Sequence, residues 1–233
     1  MTSLTAAPGV PGGACSPLGQ RLRVLLSSER VVDDLRHYFG AGLPPGAIAF
    51  TGSRFEHLAG GGDRPEVADR VTAEDLVAVQ TLSVTVPAPV ALDLVEGRLG
   101  TQLSDLLQAI PRNIDLVDAE TVVLDNGSPA DHAWHLLCGQ YKVNWVTAGK
   151  LLARKRPRLL PVYDKVVRCA LGRPRPSFWL ALHAALREND RALHRQLLEL
   201  REAAGLPQTV SALRVCDVAV WMGHRAEGHA CPR

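Results

Sequence analysis

Between Lys142 and Arg175 the chain places ten of its 26 Lys and Arg residues and a single acid, Asp164. That stretch stands at +9, while the rest, with 16 basic and 23 acidic groups, stands at −7, a polarity that the overall charge of +2 conceals. A dense cationic stripe is the electrostatic footprint of a surface that meets polyanions. A lone carboxylate within it suits chemistry on such a polymer: it can orient a water or stabilise positive charge as a bond breaks. Lys142, Lys150, Arg154, Lys155, Arg156, Arg158 and Lys165 are the expected phosphate contacts, and Asp164 the expected catalytic group. Contacts of this kind supply affinity and position but no sequence choice.

Other candidate chemistry is weaker. His132 and His135 stand three apart, a spacing that can hold a metal, but no third ligand at matching spacing accompanies them, so no metal is expected. Ser53 lies in Phe50-Thr-Gly-Ser-Arg-Phe-Glu56 and lacks a nucleophile elbow. Gly60-Gly-Gly-Asp63 is followed by no Gly-Lys-Ser/Thr and reads as a flexible loop, not a phosphate cradle. Arg214 and Asp217 stand three apart on an apolar helix, where a buried ion pair is expected. The five cysteines are odd in number and never in Cys-x-x-Cys spacing, which argues for free thiols in the cytoplasm. No cofactor is expected.

The elements that position these residues read as helices. Ser27 or Ser28 opens an amphipathic run to Phe39, stopped by Gly40, and Thr72-Ala-Glu-Asp75 is a capping-box start. Pro87–Val95 is a short helix, and another ends before Pro111. Ser128-Pro129 opens a helix closed by Gly139. Further helices are expected over 146–156, 161–171, 177–188, 190–204 and 209–222, with Gly205 as a C-cap. Leu43 to Asp69 reads as a long loop with a short extended piece at Ala47 to Thr51, and alternating patterns are scarce. The expectation is a mainly α, compact multi-helix domain over residues 21–225, with a helix-hairpin-helix element at 130–171. A disordered tail (residues 1–20) and a flexible C-terminus (226–233) flank it. No run is long and apolar enough to span a membrane.

Two resemblances follow. The stretch Lys142-Val-Asn-Trp-Val-Thr-Ala148, followed by Pro157-Arg-Leu-Leu-Pro161-Val-Tyr-Asp164, resembles the hairpin and downstream aspartate of the helix-hairpin-helix DNA glycosylase superfamily, to which endonuclease III belongs. The resemblance implies that Lys142, Asn144, Trp145 and Thr147 grip the backbone of double-stranded DNA and that Asp164 stands beside an extruded nucleotide. It also implies that Trp145 or Tyr141 wedges into the gap. The hairpin glycines fall on Lys142 and Asn144, the lysine nucleophile of bifunctional members on Val146, and a histidine often found after the aspartate on Val166. The implied enzyme is therefore monofunctional, hydrolysing a base–sugar bond without lyase activity. Alternatives are a non-catalytic nucleic-acid-binding module or a protein binding a phosphorylated small molecule. Second, the segments starting at Thr72, Trp145 and Leu213 resemble three signatures of an uncharacterised actinobacterial domain family, which implies no activity.

Overall fold

The computed structural model describes residues 15–44, 46–172 and 178–226. Among them are ten α-helices and no strand. The helices are α1 (Pro17–Leu26), α2 (Val31–Phe39), α3 (Ala73–Gln80), α4 (Ala88–Glu96), α5 (Arg98–Gln108), α6 (Pro129–Cys138), α7 (Trp145–Lys155), α8 (Lys165–Ala170), α9 (Phe178–Ala203) and α10 (Ala212–Ala226). Among the described residues none is long and apolar enough to cross a membrane.

Local chemistry sets the ends. Thr72 and Asp75 close a capping box at the start of α3. The Ser128 hydroxyl accepts from Asp131 N at the start of α6, with Pro129 in the first turn. Gly40 ends α2 in the left-handed conformation at φ 75°. Three boundaries differ from expectation. The tail expected to reach residue 20 already forms α1 from Pro17, because Ser16 caps it and its backbone N–H reaches Glu188 at 2.9 Å. The helix expected from Ser27 or Ser28 begins at Val31. The one expected over 161–171 begins only at Lys165, since Pro161 to Asp164 are not helical and Asp164, itself extended, is the cap. Residues 227–233 of the expected C-terminal tail, with Arg173, Arg175 and Cys231, lie outside the described residues.

Two helices form the centre. Every residue of α7 from Val146 to Lys155 except Gly149 is buried, as is every residue of α10 from Ala212 to Val220. Both are enclosed although each carries charged side chains; α7 packs against α3 and α6, and α10 against α1, α2, α8 and α9. The ordered loop from residue 46 to 69 carries two short 3-10 turns, Thr51–Arg54 and Leu58–Gly60, and lies over both central helices.

Candidate functional site

The cationic stripe does not form a surface. Lys150, Arg154, Lys155 and Arg156 are all buried, at 4%, 1%, 1% and 0% exposure. Buried charge must be paired and hydrogen-bonded, and each of these is. Arg154 donates to Asp75 Oδ1 (2.9 Å) and to the carbonyls of Phe55, Glu56 and Leu58. Lys155 Nζ donates to Asp75 Oδ2 at 2.8 Å. Arg156 donates to the carbonyls of Leu107 and Ile110 at the end of α5, to Ala68 O and to Asp69. Lys150 Nζ donates to Leu82 O (2.8 Å), just beyond α3. The cations satisfy carbonyls that helix ends and loops leave over. The expectation that these four contact successive phosphates therefore fails: their donors are consumed inside the fold. Burial lowers Lys155 and takes Arg156 down to about 10, so Arg156 stays charged at neutral pH.

The remaining expected contacts divide. Arg158 is exposed but paired with Asp115 through two hydrogen bonds of 2.8 and 2.7 Å, which also lowers Asp115. Thr147 is buried, and its N–H and hydroxyl both turn to Asn144 Oδ1, which caps α7. Trp145 is the first residue of α7, not part of the turn, and packs half-buried against Tyr163. Lys142 and Lys165 are exposed, and neither has an ion-pair or hydrogen-bond partner among the described residues. The turn from Gly139 to Asn144 joins α6 to α7, and Lys142 within it holds φ 56°, a left-handed conformation favouring glycine.

Asp164 sits on the wall of a cavity of about 470 Å³. Its Oδ1 accepts from Val166 N (2.9 Å) and Val167 N (3.0 Å), capping α8. Its Oδ2 is left with Lys150 Nζ at 3.5 Å, and the side chain is 17% exposed. Arg168, four residues on, forms no ion pair with Asp164; Lys150 takes that place. Facing Asp164 across the cavity are residues that the stripe did not indicate: Tyr38, Phe50 and Trp221 form an aromatic wall, with Tyr38 stacked on Phe50 at 5.1 Å and Trp221 edge-on to it at 5.9 Å.

The floor is a buried ionic network. Arg214 pairs with Asp217 and donates to Tyr38 Oη (2.5 Å) and Gly52 O (2.9 Å). Gly52 is obligatory, since a Cβ there would strike the Tyr38 hydroxyl. Burial pushes Asp217 up to about 6 against the opposing pull of Arg214, and raises the Tyr38 phenol. Behind it, Glu56 accepts from Ser211 N (3.1 Å) and Ser211 Oγ (2.6 Å) at the start of α10, and burial pushes it up to about 7. The loop expected to be flexible is packed: a Cβ on Gly62 would lie 2.5 Å from Arg154 O and 2.8 Å from Asp75 Oδ1. Cys138 and Cys216 are free thiols pushed up by burial to about 11 and about 12, too basic to be reactive thiolates at neutral pH. His135 Nδ1 is engaged by Asp131 O at 2.9 Å.

Residues 31–224 match the profile of a family of unknown function (DUF6308). A search of the curated proteins and a search of the solved structures each return no match. The three segments opening at Thr72, Trp145 and Leu213 converge around the cavity and its support: Asp75 from the first holds Arg154 and Lys155 of the second, while Lys150 of the second and Arg214 and Asp217 of the third line the cavity.

Proposed function

The chain belongs to this family, and we propose that its cavity receives one nucleotide drawn out of DNA and that Asp164 assists hydrolysis of its base–sugar bond. The observation that carries this reading is the asymmetry of Asp164: one oxygen is fixed by two backbone N–H groups, and the other is left with Lys150 at 3.5 Å in a cavity that Tyr38, Phe50 and Trp221 also line. The left-handed turn at Lys142, where the resembled hairpin carries glycine, adds support.

The roles follow from the chemistry. Extrusion of a nucleotide costs a few kcal/mol of stacking, which Tyr38, Phe50 and Trp221 offset by offering a π-surface to the base. The glycosidic C–N bond breaks with its electron pair going to the base, and Asp164 Oδ2 stabilises the cationic sugar. Water adds to the anomeric carbon, and its proton leaves to solvent or to the departing base. Fixing Oδ1 pre-orients the carboxylate, so it need not reorganise as charge develops. No amine stands at Val146, so no Schiff base forms. Lys165 on the cavity wall, with the exposed Tyr141 and Lys142 of the turn before α7, would hold the phosphate backbone.

Single-turnover base release from a panel of damaged and undamaged oligonucleotides tests this reading. Asp164→Asn is expected to lower release at least a hundredfold, the usual scale for a positioned catalytic group, while leaving affinity similar. Release at the same rate in the variant rules the assignment out. A second reading is favoured by one observation, the burial of the four central cations. With the exposed Lys165 on its wall and Lys150 held mainly by a backbone carbonyl, the cavity also suits a phosphorylated small molecule. Binding of nucleoside monophosphates without binding of oligonucleotides would select that reading.

A further inference from the structure

In the non-helical segment from Pro161 to Asp164 alternate residues serve different sides. Val162 and Asp164 line the cavity already described, whereas Pro161 and Tyr163 line a second one, of about 650 Å³. Nothing in the proposed base-release chemistry uses this second cavity.

Its walls are aromatic. Three of the chain's four tryptophans, Trp134, Trp145 and Trp179, line it together with Tyr163 and Phe178. Tyr163 stacks on Phe178 with centroids 3.8 Å apart and planes 10° from parallel, and Trp145 tilts against Tyr163 at 5.7 Å. Gly149 opens the space. It lies in the interior of α7, where glycine costs about 1 kcal/mol relative to alanine, yet a Cβ there would meet nothing within 4 Å. Helix packing therefore gives no reason for the glycine. The room it leaves belongs to the cavity.

One charge at this cavity is unengaged. Asp131 Oδ2 accepts from Gly127 N at 2.9 Å, and His135 is held by Asp131. Arg168 is half-buried with its guanidinium 5.7 Å over the Trp145 ring, and among the described residues its side chain has no hydrogen-bond or carboxylate partner. A guanidinium held against an aromatic wall with its donors unspent matches a carboxylate or phosphate in geometry.

We propose that this cavity binds a planar aromatic anion, its ring stacked among the tryptophans and its anionic group on Arg168. The volume lies in the range of small-molecule sites, which are mostly apolar with a few placed polar groups. Because Tyr163 adjoins Asp164, a ligand there also restrains the segment that presents the carboxylate to the other cavity.

Calorimetric titration of the full chain with 2-naphthoate, and with neutral 2-naphthylmethanol as its uncharged counterpart, tests the proposal without reference to any catalytic activity. Saturable binding of 2-naphthoate is expected. Arg168→Gln should weaken it at least tenfold, about 1.4 kcal/mol, and change the neutral probe little. Gly149→Leu, which places a side chain inside the cavity, should weaken binding of both at least tenfold. The proposal is overturned if neither probe binds saturably up to about 1 mM, the weak end of specific affinity. It is equally overturned if Gly149→Leu binds like the natural chain, or if Arg168→Gln weakens both probes alike.

Discussion

Asp75→Asn isolates the interaction on which the inward course of the stripe depends. Asp75 is 1% exposed and is shared by Arg154 Nε and Lys155 Nζ, themselves 1% exposed. Removing one partner of a buried pair costs about 3–5 kcal/mol, because an uncompensated charge is left behind. The two cations respond differently. Arg154 cannot lose its proton but keeps three carbonyl acceptors, so its share is the smaller. Lys155 can escape by deprotonating; from an ordinary value of about 10.4 that costs about 4.6 kcal/mol at pH 7, which caps its share. A net loss of about 4 kcal/mol at pH 7 is expected, a large part of the 5–15 kcal/mol typical of a domain. In the natural fold burial already lowers Lys155. A base whose folded pKa lies below its unfolded one leaves the unfolded state holding more protons, so stability rises with pH through that window. The variant widens the window downward. By pH 9.5 the cap on the Lys155 share falls to about 1.2 kcal/mol, and the deficit should shrink to half or less. Urea unfolding of both proteins at the two pH values measures this. A deficit below about 1 kcal/mol at pH 7, or one that is the same at both pH values, refutes the reasoning.

Two further outcomes are expected. Gly62→Ala should destabilise by about 1–3 kcal/mol, since its Cβ strikes the Arg154–Asp75 pair, whereas Gly149→Ala should stabilise by about 1 kcal/mol; thermal melts of the two variants decide between crowding and open space. Glu56, pushed up to about 7 against an ordinary value of about 4.3, makes the folded state bind the extra proton, so stability present below pH 4.3 is lost as pH rises through 7. The swing is about 4 kcal/mol, and Glu56→Gln should flatten the difference in urea midpoint between pH 5.5 and pH 8; an unaltered pH dependence in that variant would assign it elsewhere.

Local signals in the sequence locate most helices because caps act on their own neighbours: Thr72 with Asp75, Ser128 with Pro129, and Gly40 all end or begin helices where their chemistry requires. Asp164 also reaches the wall of a cavity, and Arg214 with Asp217 forms the expected buried pair. The direction of the stripe was not legible from charge density, because a count of cations has no orientation. Thr147, Lys150 and Arg154 stand at helical spacing on α7, the pattern of a solvated stripe, and nothing local marks it as enclosed. Their partner Asp75 stands 79 and 80 residues from Arg154 and Lys155, a pairing no local pattern announces. The aromatic wall escaped notice for the same reason, since Tyr38 and Trp221 meet across nearly the whole chain. Gly62 looked like flexibility because glycine permits motion and close approach alike, and only the packed neighbours distinguish the two.

If the cavity receives a nucleotide, the four buried cations are structural and the exposed Lys142 and Lys165 are the phosphate contacts. Binding of a labelled duplex measured against salt tests this directly. Two phosphate contacts give a log–log slope of about −2, and charge reversal at Lys142 and Lys165 should abolish binding while the protein stays folded. A slope of about −5 or steeper would mean that the buried cations reach phosphates, and an absence of binding at low salt would contradict the nucleic-acid reading itself.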